Sequence, residues 1–307
     1  MEQLRGMNAR KMYEKVSLSD EDFMAWMQEV GLISINKKCS CGGAMAIKSK
    51  GSAGGRRWVC RNSWCQKKKG VFKGSFFENA KLAPKEIFQL SYYWCRGTHT
   101  LSEIQFDMRR KDGSTIGAEA VVDWNNYFRD ICAEFFIKSP IRIGGEGKVV
   151  EIDEAVLTRR KYKRGDQLKE QWIYGGIERG SARCFLVPVE NPSAATLLPI
   201  IKEHILPGST VMSDLWAAYN GIHNLPDGYR HLAANHSIRF VDPDSGTRIN
   251  TAESTWQKFK RSHKCRCGTQ RTMLLSYIEQ FQWRRLFAGD DAMYYLWSQI
   301  SSLYPAE

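Results

Sequence analysis

No stretch of the 307 residues reaches the roughly 18 consecutive apolar residues of a membrane-spanning helix, so no span is predicted. The opening segment MEQLRGMNARKMYEKVSLSDEDF lacks the apolar core of a secretory signal, and export is not expected. Acidic residues are missing altogether between Lys37 and Lys73, a stretch that holds eleven Lys or Arg. Missing too is the composition of a disordered chain. With 43% apolar, 12% aromatic and 25% charged residues, the sequence is that of a folded protein long enough for two or three domains.

The formal charge of +12 repels itself and attracts polyanions, which makes nucleic acid the first partner to consider, although a charge run is by itself often a solvated face. Position sharpens the point. Arg56, Arg57, Lys67, Lys68 and Lys69 fall in the acid-free stretch, Arg159, Arg160 and Lys161 open the run RRKYKR, and Lys260 and Arg261 lie in KFKRSHKCR. Cations gathered in this way suit a surface that contacts phosphates.

Nine cysteines in a non-secreted chain argue for reduced thiols or for metal. Cys39 and Cys41, then Cys60 and Cys65, flank the hairpin-like KSKGSAGGRRWV and outline a zinc ribbon closed by one structural Zn²⁺. Their Cys-x-Cys and Cys-x4-Cys spacings depart from the usual pairs two residues apart, and four free thiols in a loop is the alternative. Cys265 and Cys267 resemble half of another site and read as free thiols.

Four regions follow. Residues 1–35 are helical: Ser19 is placed to cap a helix bearing Phe23, Trp26, Met27 and Val30, and Gly31 stops it. Residues 36–78 are the ribbon. Residues 79–143 are helical, with Val121, Trp124, Phe128, Ile131 and Phe135 on one stripe. There THTLSEIQFDMRRKDGSTIGAE has the rhythm of a helix-turn-helix, which either reads DNA or only packs. Residues 144–307 change character: KVVEIDEAVL, EQWIYGGIE, ARCFLVPVE and STVMSD read as strands, with the helix SAATLLPIIKEHI before the fourth, and predict a mixed α/β sheet.

Asp153 lies inside the first of those strands and shares a face with Glu151 and Ala155, while Glu154 points the other way. Asp214 ends the fourth strand. Each has an ordinary explanation, Asp153 as an exposed or Arg-paired edge residue and Asp214 as a helix cap. Glu253 has one as well, because Asn250 and Glu253 have capping-box spacing. The same helix carries Trp256 and, about 20° around the axis from Glu253, Lys260. An acid, an aromatic and a cation on one helical side suit a surface that meets metal and polyanion together.

The stretches VVEIDEA, IYGGIERG, ATLLPIIKEHILPGSTVMSDLWAAYNGI, YRHLAANHSIRFVDP, INTAESTWQKFKR and YIEQFQWRR resemble, in order, the DDE transposases of the Merlin superfamily and the bacterial insertion-sequence transposases related to it. The cysteine-bearing segment and GSFFENAKL resemble that family's N-terminal half. The resemblance implies an RNase H-like catalytic domain preceded by a zinc ribbon and a helical DNA-binding domain. It carries the catalytic triad onto Asp153, Asp214 and Glu253, which would hold two Mg²⁺ or Mn²⁺ ions. It also implies double-stranded DNA partners, terminal inverted repeats and target, with the chain acting as a homodimer or higher oligomer. The implied location is nuclear in a eukaryotic host and otherwise cytoplasmic. Some bacterial relatives have a His-Thr-Asn motif at the helix start; here Asn250 matches the Asn, and Arg248 replaces the His. His231 and His236 are further candidates to line the site. A structure-selective nuclease, or a transposase-derived regulator without chemistry, are the competing readings.

Overall fold

The computed structural model describes residues 1–50, 54–158, 170–234, 250–266, 270–287 and 289–306, and the chain divides into two units. One is Met1–Ile131 with Phe287–Glu307, the other Cys132–Leu286.

The first unit begins with α1 (Ala9–Val16) and α2 (Asp20–Glu29). Ser19 caps α2 by accepting from the Asp22 N–H at 3.0 Å, three acids fill the first turn, and Phe23, Trp26 and Met27 face inward, as the sequence pattern requires. Gly31, at φ +78°, ends it in the left-handed conformation that glycine tolerates best. Next come three antiparallel strands, β1 (Met45–Lys50), β2 (Gly54–Cys60) and β3 (Lys68–Gly70). Pro84 opens α3 (Pro84–Arg96), and Thr100 with Glu103 forms a capping box for α4 (Leu101–Asp107). A turn then leads to α5 (Ala118–Lys138), which buries Val121, Trp124, Phe128 and Ile131.

In the second unit the order is β4 (Ile143–Gly144), β5 (Val149–Thr158), β6 (Gln171–Glu178), β7 (Cys184–Val189), α6 (Ala194–His204), β8 (Ile205–Leu206), β9 (Thr210–Asp214), β10 (Arg230–Ala234), α7 (Asn250–Cys265) and α8 (Arg271–Phe287). The main sheet runs β10-β9-β5-β6-β7. β6 is antiparallel to both its neighbours, and β9 is parallel to β5 and to β10. Alternation gives the sheet two apolar faces. Val150, Ile152, Tyr174 and Val211 pack with Leu197 and Ile201 of α6. Ala155, Ile173, Ile177 and Leu186 pack with Ala252, Trp256 and Phe259 of α7 and Leu274 and Ile278 of α8.

The last helix, α9 (Ala292–Leu303), belongs to the first unit, although strand content groups residues 144–307 together in the sequence. Its Trp297 donates to Ser91 Oγ at 2.9 Å and stacks on Phe77 at 5.8 Å, contacts that only the fold reveals.

One buried carboxylate ties α7 to the sheet. Glu151 of β5, 1% exposed, accepts from the N–H groups of Thr251 (2.9 Å) and Ala252 (3.0 Å) in the first turn of α7. Its other oxygen takes Arg179 Nε at 2.6 Å. The helix therefore receives its N-terminal acceptor from a strand about 100 residues away, and the negative charge complements the helix dipole. Glu151→Ala strands Arg179 and two helix N–H groups, and is expected to cost about 3–5 kcal/mol. Glu151→Gln, which keeps a carbonyl acceptor, should cost less; urea unfolding of the purified variants measures both.

Candidate functional site

β5 and β9 pair in parallel through Val149↔Thr210, Val150↔Val211 and Glu151↔Met212. Two residues further along each strand come Asp153 and Asp214, level with one another and on the face that Glu151 shares. Asp214 is the last residue of β9 and pairs with Ala234 of β10. Glu253 stands in the first turn of α7, the turn that Glu151 binds. The negative charges of both Glu253 and Asp214 act on Asp153.

The acids lie within reach of one another's charge, although among the described residues only the four ribbon cysteines bring three or more ligand atoms to within 4.8 Å of one another. Burial first, and then the charges of Glu154, Glu253 and Asp214, push Asp153 up to about 8, against the opposing effect of the Glu154 N–H that Oδ1 accepts at 2.9 Å. Burial also raises Glu154, to about 7, with Asp214 adding to the rise and the Tyr219 hydroxyl opposing it. Glu154 projects to the α6 side, where it accepts from Tyr219, as strand alternation demands. Asp214 has a local duty as well: its Oδ1 accepts from the Trp216 N–H at 2.9 Å, in the turn after β9. Hard oxygen donors that share one another's field are the donor set that suits a small divalent metal.

Gly175 lies directly across from Asp153 in the β5/β6 ladder. A Cβ there would meet the Phe185 carbonyl oxygen first and the Trp256 ring at 2.8 Å, so the glycine admits both the neighbouring strand and the indole that lies against the sheet. Trp256 is 3% exposed. Its expected place among the DNA contacts is thereby corrected: the ring is core. Lys260 is half-exposed and Arg261 exposed on the same helix.

His231 of β10 sits elsewhere. Its Nε2 is 2.8 Å from Ser213 Oγ, and since that hydroxyl donates to the Asp214 carbonyl at 2.7 Å, the imidazole is the donor. Alternation puts Ser213 on the face away from the Asp214 side chain, and burial lowers the His231 pKa, so this histidine anchors β10 to β9. Asn250 is the first residue of α7, and Cys265, its last residue, is exposed. Arg159, Arg160, Lys161, His236, Arg248 and Cys267 lie outside the described residues.

The four ribbon cysteines do converge. Their sulfurs all lie within 4.8 Å of one another, with Cys39 and Cys65 at 3.7 Å and Cys41 and Cys60 at 3.5 Å. A tetrahedral zinc with Zn–S of about 2.3 Å requires sulfurs about 3.8 Å apart, so the cluster fits that ion. The two knuckles are Cys-x-Cys and Cys-x4-Cys, and the backbone absorbs the odd spacings through Gly42 at φ +82° and Gln66 at φ +43°. A Cys41 backbone hydrogen bond leads the effects that draw Cys39 down to about 6, whereas burial pushes Cys60 up to about 12. Around the ribbon, Arg57, Lys67 and Lys68 are exposed, and Lys69 is half-buried. Arg56 differs from them, being committed to Glu21 at 2.6 Å.

Glu151 and Gly175 are the two site-building residues that sequence reading passed over. The face shared by Glu151 and Asp153 and the glycine pair in IYGGIE were the available signals, but what each meets depends on α7.

Two outcomes follow from this chemistry. Asp153 and Glu154 hold protons more tightly folded than unfolded, where carboxyls titrate near ~4. Their contribution to stability is therefore complete at low pH and is lost as pH rises toward about 8. Metal-free protein should show a thermal midpoint that falls from pH 5 to pH 8.5, and Asp153→Asn should flatten that fall and raise the midpoint at the alkaline end; scanning fluorimetry across pH tests this. At the ribbon, a strong chelator should remove a single equivalent of zinc, and Cys60→Ser should prevent its uptake. Either should open residues 36–78 to protease while α7 and the main sheet stay protected, because metal binding supplies the folding free energy of so small a module.

Residues 143–285 match the family described as the ISXO2-like transposase domain. An uncharacterized transposase-like protein of Haemophilus influenzae is 29% identical over 102 residues, which is 33% of this chain and 80% of that protein. The family match spans all the strands of the main sheet together with α7, and so takes in Asp153, Asp214 and Glu253. Both similarities support an insertion-sequence transposase.

Proposed function

We propose that the protein is a DDE transposase of the Merlin superfamily or of the bacterial insertion-sequence elements allied to it, with a two-metal-ion site in an RNase H-like domain. The observation that carries this reading is the grouping of Asp153, Asp214 and Glu253, two at equal height on neighbouring parallel strands and one on a helix clamped to the first strand. The sheet order, three antiparallel strands followed by two parallel ones with helices on both faces, supports the domain type.

Asp153, Asp214 and Glu253 would together hold the metal ions. Bound there, Mg²⁺ or Mn²⁺ would supply positive charge at the attacking and leaving oxygens of a phosphodiester. The chain itself contributes position. β5 and β9 hold two carboxylates in register, Glu151 holds the third through α7, and Gly175 sets how near α7 comes. Lys260 and Arg261 contact backbone phosphates. Water is the first nucleophile: its oxygen bonds to phosphorus at a transposon end, the bond to the leaving 3′ oxygen breaks, and a 3′-hydroxyl is freed. That hydroxyl then attacks a target phosphodiester, again with one P–O bond formed and one broken. The chain acts on terminal inverted repeats as a homodimer or larger assembly.

The test is metal-dependent cleavage and joining of DNA that carries the element's ends. Asp153→Ala, Asp214→Ala and Glu253→Ala should each lower the rate by ~10²-fold or more, since each removes charge that positions the transition state, while DNA binding persists. Full activity in Glu253→Gln would leave that residue a helix-capping role alone. Cleavage without any strand joining, and without dependence on terminal repeats, would favour a structure-selective nuclease.

A further inference from the structure

Among the described residues, the most exposed large apolar side chain is Trp64, at 76%. It stands between the two members of the second cysteine pair, after Cys60 and directly before Cys65, in the turn joining β2 to β3. With zinc on Cys60 and Cys65, the backbone would be held on both sides of it, and the indole points out into solvent from that knuckle.

Its surroundings are cationic. The ladder sets Lys48 opposite Arg57 and Val59 opposite Lys68, which puts Lys48, Arg57 and Lys68 on one face of the three-stranded sheet. The other face carries Met45, Ile47, Trp58 and Cys60, the small core of the ribbon. All three cations are exposed, as is Lys67 beyond the knuckle, and no acid occurs from Lys37 to Lys73.

We infer that the zinc ribbon binds an unpaired stretch of DNA, with Trp64 as the platform on which one base stacks and Lys48, Arg57 and Lys68 along the phosphates beside it. An exposed flat ring on a module that also bears a cationic face is the combination that single-stranded nucleic acid requires, because every base offers a π-face and every nucleotide a charge. A protein partner fits less well, since interface centres are depleted of lysine, the commonest charge here. The inference rests on the reading above that DNA is the partner, and it adds which feature of that DNA is recognised. Hydrolysis at a transposon end supplies such a feature, for a terminal nucleotide next to a cleaved bond leaves the helical stack at small cost.

Fluorescence anisotropy with the full-length, zinc-loaded chain tests it, using two labelled probes: a blunt duplex and the same duplex with a single-stranded 3′ overhang. Trp64→Ala should weaken binding to the overhang probe by about 5- to 100-fold. It should leave the blunt probe and the salt dependence unchanged, and Trp64→Phe should restore most of the loss. Replacing Arg57 and Lys68 together with Ala should weaken both probes and lessen the slope of log K against log salt by about 2. Zinc content and circular dichroism equal to wild type establish that the variants fold. Equal binding of wild type and Trp64→Ala to the overhang overturns the inference. So does an equal loss on both probes, which makes Trp64 a duplex contact, and so does a change in assembly mass with DNA binding intact, which makes it a protein interface. Wild-type protein that binds neither probe removes the broader DNA reading as well, an outcome separate from the other three.

Discussion

The site depends on the Glu151 carboxylate. It lies in the sheet's interior and does three things: it neutralises Arg179, terminates the hydrogen bonding of α7, and thereby fixes where Glu253 starts its turn. A buried acid that lacked such partners would be prohibitively costly. With them, it converts a strand position into a helix position. The same face of the same strand then offers Asp153 two residues on, so one alternation of the backbone separates the carboxylate that builds the site from the carboxylate at its centre.

The two acids are treated in opposite ways by their surroundings. Glu151 has its charge matched by a guanidinium and two N–H groups. Asp153 has one backbone N–H and three negative neighbours, and burial pushes it up to about 8. The fold thus maintains an arrangement that is unfavourable on its own terms. Concentrating strain and repulsion at one spot is affordable only where the rest of the structure is over-determined, and the apolar packing of α7 and α8 on β6 and β7 supplies that here. A cation entering between these acids would relieve repulsion already present.

How much of this could be seen in the sequence varied with the range of the interaction. β5, β6, β7 and β9 and the helices α2 and α6 announce themselves through alternation, helical periodicity and turn residues, all local signals. The ribbon was legible because its cysteines come in pairs, even with unusual spacing. β10 was not foreseen, since RHLAA is short and weakly apolar and becomes a strand only by pairing with β9. Trp256 looked like part of a binding surface because a helix was read without its sheet; Gly175, 81 residues earlier, decides that the ring is buried. Glu151 was passed over for the same reason, as its partners come from Arg179 and from a helix start that no local pattern connects to β5.

The chain therefore makes two uses of clustered anionic ligands, and their softness keeps them apart. In the ribbon, four thiols come within 4.8 Å of one another in a module whose own core is little more than Met45, Ile47 and Trp58. Soft sulfur donors favour zinc, and with so little apolar surface to bury, an ion held there would be a structural member. In the sheet domain two apolar clusters pack without metal, and the oxygen donors suit hard, exchangeable cations. A module that needs its ion in order to fold can present side chains such as Trp64 rigidly. A domain whose apolar core is complete has no such dependence, and on the proposed reading its cations would be free to enter with the DNA.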